Sequence, residues 1–287
     1  MDTLSTAILG GALAVIMIGM GLSLTGQDFK RILEAPRAVF LGFLAQIILL
    51  PLLGLGLIEV LNLEPPIAMG LMILAACPGG PTSNLLSLLA KADLALSVSL
   101  TALNSLVTLI TIPFLVQFSY QVIYAETTQV PPPLETIAQS LLIVIALPLS
   151  IGMLTRKFKP ELAKKLNRPV RIASALLLAL VIVGLVIKER ENFVDYFARA
   201  AIAALLLNLL GMGIGLILGK AGRLNLKQQL TIAIESGNQN GTLAIHIAVV
   251  TLGMEDLAIT AAVYSLIMYA TAVIPVSFGM KKFRSGI

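Results

Sequence analysis

Residues 77–84, which read CPGGPTSN, lie inside an apolar run that is long enough to cross a bilayer. Pro78 and Pro81 flank two glycines, and this composition predicts a break in the helix because proline lacks an amide donor and clashes with the preceding turn. In hydrocarbon, each backbone group freed by a break costs several kcal/mol unless protein, water or an ion satisfies it. The flanking pieces are each about half a membrane long, so an ordinary loop between two spanning helices is the weaker interpretation. We therefore expect the break to be functional.

Apolar runs of similar length recur along the chain and predict about nine transmembrane helices. Since 57% of the 287 residues are hydrophobic and only 12% are charged, the chain belongs to the all-α polytopic membrane class, as a single transmembrane unit over residues 1–287. The predicted runs have approximate limits of 4–24, 38–60, 66–90, 94–119, 134–155, 170–187, 199–219, 229–252 and 256–279.

The basic residues predict the orientation of these helices. All but three of the 20 Lys and Arg residues fall in alternate connections and in the C-terminal tail, the exceptions being Lys188, Arg190 and Arg199. By the positive-inside rule, the N-terminus is outside and the C-terminus is cytoplasmic, in the inner (plasma) membrane. The net charge of +5 therefore reflects topology, and nucleic-acid binding is excluded. No Lys or Arg precedes the first run, which favours a first transmembrane helix over a cleaved signal peptide.

A second polar interruption, ESGNQNGT at residues 235–242, divides the run 229–252. In the predicted topology the third and eighth helices are antiparallel, and each lies at a corresponding position in one half of the chain. Polar breaks at corresponding positions in two oppositely oriented halves indicate a transporter with inverted repeats and a site near the middle of the membrane.

Several residues near the breaks could bind a cation. Ser97, Thr101 and Asn104 share one face of the fourth helix, and hydroxyl and amide oxygens are hard, neutral ligands that suit Na⁺. Hydrogen bonds between helices are the alternative role for Ser97 and Thr101. Glu235 is the only acid predicted well inside an apolar run, and a bound cation or a proton would compensate its charge.

Other polar residues in the apolar runs have less specific interpretations. Gln46 could add an oxygen to the same region, although for this residue alone a hydrogen bond between helices is the favoured interpretation. His246 has no second ligand at metal spacing, so we interpret it as a neutral residue that is buried or lines the substrate cavity, with no transition metal. Cys77 is expected to be a packing residue. No set of nucleophile, base and orienting residue is present, so an enzyme is not expected.

Three motifs in order resemble the bile acid:sodium symporter family: CPGGPTSN, the LSVSLT segment at 96–101, and ESGNQNG. The resemblance implies two crossed, broken helices that hold two Na⁺ ions. It further implies a panel domain, about 1–37 and 134–190, that rocks against a core domain, about 38–120 and 197–280. The chain matches the nine-span form of the family, without the additional N-terminal helix of the ten-span members.

The resemblance also implies roles for individual residues. One Na⁺ would be bound by Ser83, Asn84, Ser97, Thr101 and Glu235. The second would be bound by Glu235, Gln46, Gln239 and the backbone carbonyls of Ser236 and Asn238. Thr82 and Asn240 would face the substrate cavity. Apart from the resemblance, Pro81 and His246 are further candidates for contact with the substrate.

Two residues depart from the family pattern. Pro81 stands where a small or hydroxylated residue is common, which removes an amide donor at the break, and Asn238 stands where methionine is common.

The predicted function is Na⁺-coupled import of a small organic anion, bile acid-like or a small carboxylate, by alternating access. A proton-coupled transporter that uses Glu235, and a non-transporting membrane sensor or enzyme, are the alternatives. The partners are the substrate anion and the lipid bilayer. The sequence does not determine the oligomeric state, and a monomer is favoured.

Overall fold

The structure, a computed structural model, describes residues 3–125, 132–188 and 193–283. In these ranges the chain folds into helices joined by short connections. The α-helices are α1 (Thr3–Ser23), α2 (Gly26–Glu34), α3 (Pro36–Phe43), α4 (Leu50–Leu61), α5 (Pro65–Ala76), α6 (Pro81–Leu89), α7 (Leu94–Ile123), α8 (Leu134–Leu141), α9 (Leu147–Phe158), α10 (Pro160–Lys188), α11 (Phe193–Ala221), α12 (Leu226–Gly237), α13 (Gly241–His246), α14 (Leu257–Thr271) and α15 (Val273–Lys282).

Three π-helical segments join or extend these helices, and the helix continues through each of them. Leu44–Leu49 joins α3 to α4, Leu142–Ala146 joins α8 to α9, and Ile247–Thr251 extends α13. A π-helical turn widens the helix locally and is frequent at functional sites. The first of these segments carries Gln46.

Within the described residues, five helices are long and apolar enough to cross a membrane, or six if the bent pair formed by α1 and α2 is one span. The five are Pro36–Leu61, Leu94–Ile123, Leu134–Phe158, Phe197–Ala221 and Leu257–Lys282. Helices occupy each of the nine predicted apolar runs, and in two of these runs the helix is broken into halves. The all-helical membrane class is confirmed, whereas a count of nine spans stays a prediction.

Loops were expected after the first and fifth apolar runs, and both predictions are wrong. The segment after the first run is the amphipathic helix α2, which packs against α7 and is held there by the Ser99 hydroxyl bound to the Asp28 carbonyl at 2.8 Å. Basic residues after the fifth run were expected to lie in a loop, but α9 ends at Phe158 and α10 begins at Pro160. Arg156 and Lys157 lie in the last turn of α9, where cations interact favourably with the helix dipole.

Glycines allow the closest helix contacts. A Cβ atom placed on Gly21 of α1 would lie 2.9 Å from the Cα atom of Gly152 on α9, so the two backbones touch directly. Helix α1 packs against both α9 and α10, and α9 packs against α10. Helix α11 packs against α12 and α14, while α5 packs against α7 and α14. The two broken helices lie within this second group.

Candidate functional site

The two predicted breaks are present and meet each other. The first lies between α5 and α6, and the second between α12 and α13. Gly79 and Gln239 form an antiparallel bridge between the two extended segments, and the Asn240 amide donates to the Pro78 carbonyl at 2.9 Å. The backbone groups freed by each break are therefore partly satisfied by the other break.

Pro81 occupies the first position of α6, after Gly80 in an extended conformation. An amide at this position has no partner within the helix, so proline is well tolerated there and its fixed φ angle favours helix initiation. Pro81, although it departs from the family pattern, therefore initiates α6 and does not distort it.

The oxygens around Glu235 form the first cluster. Ser97 donates its hydroxyl to Oε1 of Glu235, and Thr101 Oγ1 lies 2.9 Å from Oε2. Both hydroxyls also contact Oδ1 of Asn84, at 2.8 and 3.2 Å. Ser83 Oγ lies 3.4 Å from Thr101 Oγ1 and donates to the Gly80 carbonyl at 2.8 Å. The structure thus brings together all five residues predicted for the first ion.

This cluster has more acceptors than protons. The hydroxyls of Ser97 and Thr101 supply two protons, whereas three side-chain acceptor oxygens face them: Asn84 Oδ1 and the two carboxylate oxygens of Glu235. Glu235 is 1% exposed, and no Lys, Arg or His forms an ion pair with it in the described parts of the chain. A buried carboxylate surrounded by surplus oxygens is a chemical environment that favours a cation.

A second cluster lies at the crossing around two glutamines 193 positions apart. Gln46 Nε2 donates to Gln239 Oε1 at 2.7 Å and to the Cys77 carbonyl at 2.9 Å. Gln239 Nε2 in turn donates to the Ser236 carbonyl at 3.0 Å. Within the part of the chain that the structure describes, two buried atoms nearby in sequence have no hydrogen-bond partner, namely Ser236 Oγ and Asn238 Oδ1. The Asn238 carbonyl points toward Gly79, whose Cβ position is 3.4 Å away.

The residues predicted to face the substrate fall into two places. Thr82 and Pro81 are half-buried in the first turn of α6, and Asn240 caps α13 by accepting from the Leu243 amide at 3.1 Å. His246 lies at the other end of α13, where its Nε2 is 3.5 Å from the Ser140 hydroxyl of α8. The structure therefore separates His246 from the other three.

Two buried polar residues were not predicted as part of the site. Asn208 and Tyr264 both donate to the Gly237 carbonyl at the end of α12, Tyr264 at 2.9 Å. Asn104, which was predicted to share a helix face with Ser97 and Thr101, is fully buried one turn beyond Thr101, and neither polar atom of its side chain has a partner within the described residues. Asn208 is a single amide in a leucine-rich run, which is a visible signal, but the sequence does not reveal what it binds.

Two half-helix pairs that cross inside a bundle of membrane-length helices, with a buried carboxylate at the crossing, define a secondary membrane transporter. The model of the sodium bile acid symporter family matches residues 11–196, which include the first break. The chain belongs to this family, whose members are transporters and not enzymes.

Relatives from distant organisms are similar over most of the chain. The Bacillus subtilis protein described as an uncharacterized sodium-dependent transporter, YocS, is 30% identical over 82% of this chain and 72% of its own length. The rice probable sodium/metabolite cotransporter BASS2 of chloroplasts is 29% identical over 85% of this chain, which spans only 57% of the rice protein. The rabbit ileal sodium/bile acid cotransporter is 29% identical over 91% of this chain and 76% of its own length.

Proposed function

We propose that the protein is a symporter that uses inward Na⁺ flow to import a small organic anion by alternating access. The observation that carries this proposal is the shortage of protons around the buried Glu235, where the hydroxyls of Ser97 and Thr101 face three side-chain acceptor oxygens. Na⁺ satisfies several oxygens at once and neutralises the carboxylate. The sodium-dependent transporters among the relatives support the same ion.

Two Na⁺ ions are proposed, one in each cluster. The first is bound by the oxygens of Ser83, Asn84, Ser97, Thr101 and Glu235. The second is bound between the crossing and the π-helical segment, by Gln46, Gln239, Glu235 and the carbonyls of Ser236 and Asn238. The side-chain oxygen Oδ1 of Asn238 is buried and has no hydrogen-bond partner among the described residues, which supports a polar occupant in this second region.

The substrate is proposed to bind where α6 and α13 begin, beside both ions. Thr82 and Pro81 open α6, and Asn240 opens α13, so the positive ends of two half-helix dipoles face the crossing. This arrangement favours a carboxylate or sulfonate. Bile acids and metabolites are named for the relatives, and both classes include such anions.

The movement is proposed to take place between a panel of α1, α8, α9 and α10 and a core of the remaining membrane helices, in a nine-span topology with the N-terminus outside. The contacts of α1 with α9 and α10 support the panel, and those of α11 with α12 and α14 support the core. Contacts of α8 and α1 with the segment Ile247–Thr251 join the two groups at one end of the molecule.

Uptake into proteoliposomes tests this function. An inward Na⁺ gradient should drive accumulation of at least one anion from a panel of bile acids, 2-oxo acids, hydroxy acids and sulfonates. Glu235→Gln, which keeps the shape of the side chain and removes its charge, should abolish the accumulation. Equal uptake in Na⁺ and K⁺ gradients would overturn the proposal.

Thermal unfolding in detergent gives a second, substrate-free readout. Because a ligand that binds only the folded state raises its stability, Na⁺ should raise the Tm when KCl is exchanged for NaCl at constant ionic strength. Because this stabilisation grows as the logarithm of 1 + [Na⁺]/Kd, we fit the Tm to that relation and call the fitted Kd the Na⁺ midpoint. Uptake that follows a pH gradient at fixed Na⁺ would favour proton coupling instead.

A further inference from the structure

The carbonyl oxygen of Gly237 accepts two hydrogen bonds from outside its own helix. Asn208 Nδ2 of α11 is one donor, and the Tyr264 hydroxyl of α14, at 2.9 Å, is the other. Both side chains are completely buried. Since a buried hydrogen-bonding group is costly to leave unpaired, these two donors determine the direction in which the Gly237 carbonyl points.

That direction also determines where the next carbonyl points. Asn238 follows Gly237 with φ −120° and ψ 101°, an extended conformation in which successive carbonyls point to opposite sides. The Gly237 carbonyl faces α11 and α14, whereas the Asn238 carbonyl lies 3.4 Å from the Cβ position of Gly79. The same Cβ position is 2.8 Å from Glu235 Oε2, so the Asn238 carbonyl faces the crossing.

The backbone at this point has little room to turn. A Cβ atom placed on Gly237 would collide with the side chain of Met212, and one placed on Gly211 would lie 2.8 Å from the Ser236 carbonyl. Helices α11 and α12 therefore approach each other almost without intervening side chains. The two hydrogen bonds act on a segment that is already tightly confined.

We infer that Asn208 and Tyr264 are positioning residues for Na⁺, which rests on the proposed function of the crossing. By holding the Gly237 carbonyl against α11 and α14, they aim the Asn238 carbonyl at the crossing beside Glu235, the proposed ligand of both ions, without contacting an ion themselves. Their loss should weaken Na⁺ binding while the recognition of the anion at saturating Na⁺ is kept.

Tyr264→Phe and Asn208→Leu test this inference because each keeps the ring or branched shape of the side chain and removes the donor. Each variant should raise the Na⁺ midpoint about three- to tenfold, the equivalent of one ordinary hydrogen bond. Tyr269→Phe is the matched control, since Tyr269 lies on the same helix with its side chain 47% exposed. Its Na⁺ midpoint should equal that of the wild type.

The outcomes separate the inference from the function on which it rests. A lower Tm without Na⁺ combined with an unchanged Na⁺ midpoint in both variants would show a purely structural role and overturn the inference. Absence of any Na⁺-dependent rise in the wild type would instead contradict the proposed function, and the inference with it. If Tyr264→Phe fails to fold, Asn208→Leu decides the question alone.

Discussion

Gly79 and Gln239, 160 positions apart, form a backbone bridge at the point where the two broken helices cross. Each residue lies in a break that interrupts a buried helix, and the side chain of Gln239 is bound to Gln46 at 2.7 Å. A Cβ atom placed on Gly79 would lie 2.8 Å from Glu235 Oε2. The bridge therefore connects the two clusters of oxygens.

Gly79→Ala should damage the first cluster directly. Its methyl group would lie 2.8 Å from Glu235 Oε2, and 3.4 Å from both Ser83 Oγ and the Asn238 carbonyl. We expect the Na⁺ midpoint to rise at least tenfold, measured by thermal unfolding. Gly80→Ala is a neighbouring control, because its closest contact would be 3.8 Å from Asn240 and its Na⁺ midpoint should stay within about twofold of the wild type. Similar midpoints in the two variants would contradict the steric argument.

Thr101→Val should weaken Na⁺ binding while the helix is kept. The substitution preserves the branched shape and removes a hydroxyl that contacts both Glu235 and Asn84. We expect a three- to tenfold rise in the Na⁺ midpoint, since one hydrogen-bonding group is worth about 1 kcal/mol. Thr108→Val on the same helix is the control, because among the described residues its hydroxyl donates to the Ser105 carbonyl of its own helix, at 3.1 Å. An equal effect of both substitutions would argue against a specific role of Thr101.

Gln46→Leu should abolish the binding of one of the two proposed Na⁺ ions. Without the amide, the Cys77 carbonyl and Gln239 lose a partner, and we expect a cost of about 1–3 kcal/mol in folding stability. The Hill coefficient of Na⁺-dependent uptake should fall from about two, the proposed number of ions, toward one. Exposed Gln139→Leu should change neither quantity. Transport of only one Na⁺ per substrate by the wild type would contradict the second ion.

A disulfide between α8 and the segment after α13 should stop transport. Ser140 Oγ and Thr251 Oγ1 are 2.8 Å apart, so cysteines at these positions are close enough to be joined. In a Cys77→Ala background, oxidation of the pair Ser140→Cys and Thr251→Cys should abolish uptake, and reduction should restore it. The single cysteine variants should be insensitive to oxidation. Continued transport by the fully cross-linked protein would show that panel and core need not separate there.

The sequence predicted those features that depend on neighbouring residues. Pro78 and Pro81 mark the first break, and Gly237 and Gly241 mark the ends of the second. These breaks follow from the missing amide of proline and the conformational freedom of glycine, which are local properties. The family resemblance supplied the pairing of the two breaks and the grouping of residues around Glu235.

Contacts between residues that are far apart in the sequence could not be predicted without the fold. The pairing of Gln46 with Gln239 could not be derived from either residue alone, because the two are 193 positions apart and a polar side chain does not identify its partner. Asn208 and Tyr264 were missed for the same reason, since a polar group in an apolar run signals a partner but does not identify it. Helix α2 was missed because its charged residues suggested a loop, although Asp28 accepts from the Thr25 amide at 2.7 Å and caps the helix start.

Backbone contact between Gly21 and Gly152 constrains how the molecule can change shape. Because no side chain separates α1 from α9 there, neither helix can slide or rotate against the other without a collision of main-chain atoms. The two helices are therefore obliged to travel as one rigid body. The distance between them should stay constant throughout a transport cycle, which makes the pair a natural reference frame against which every other displacement can be measured.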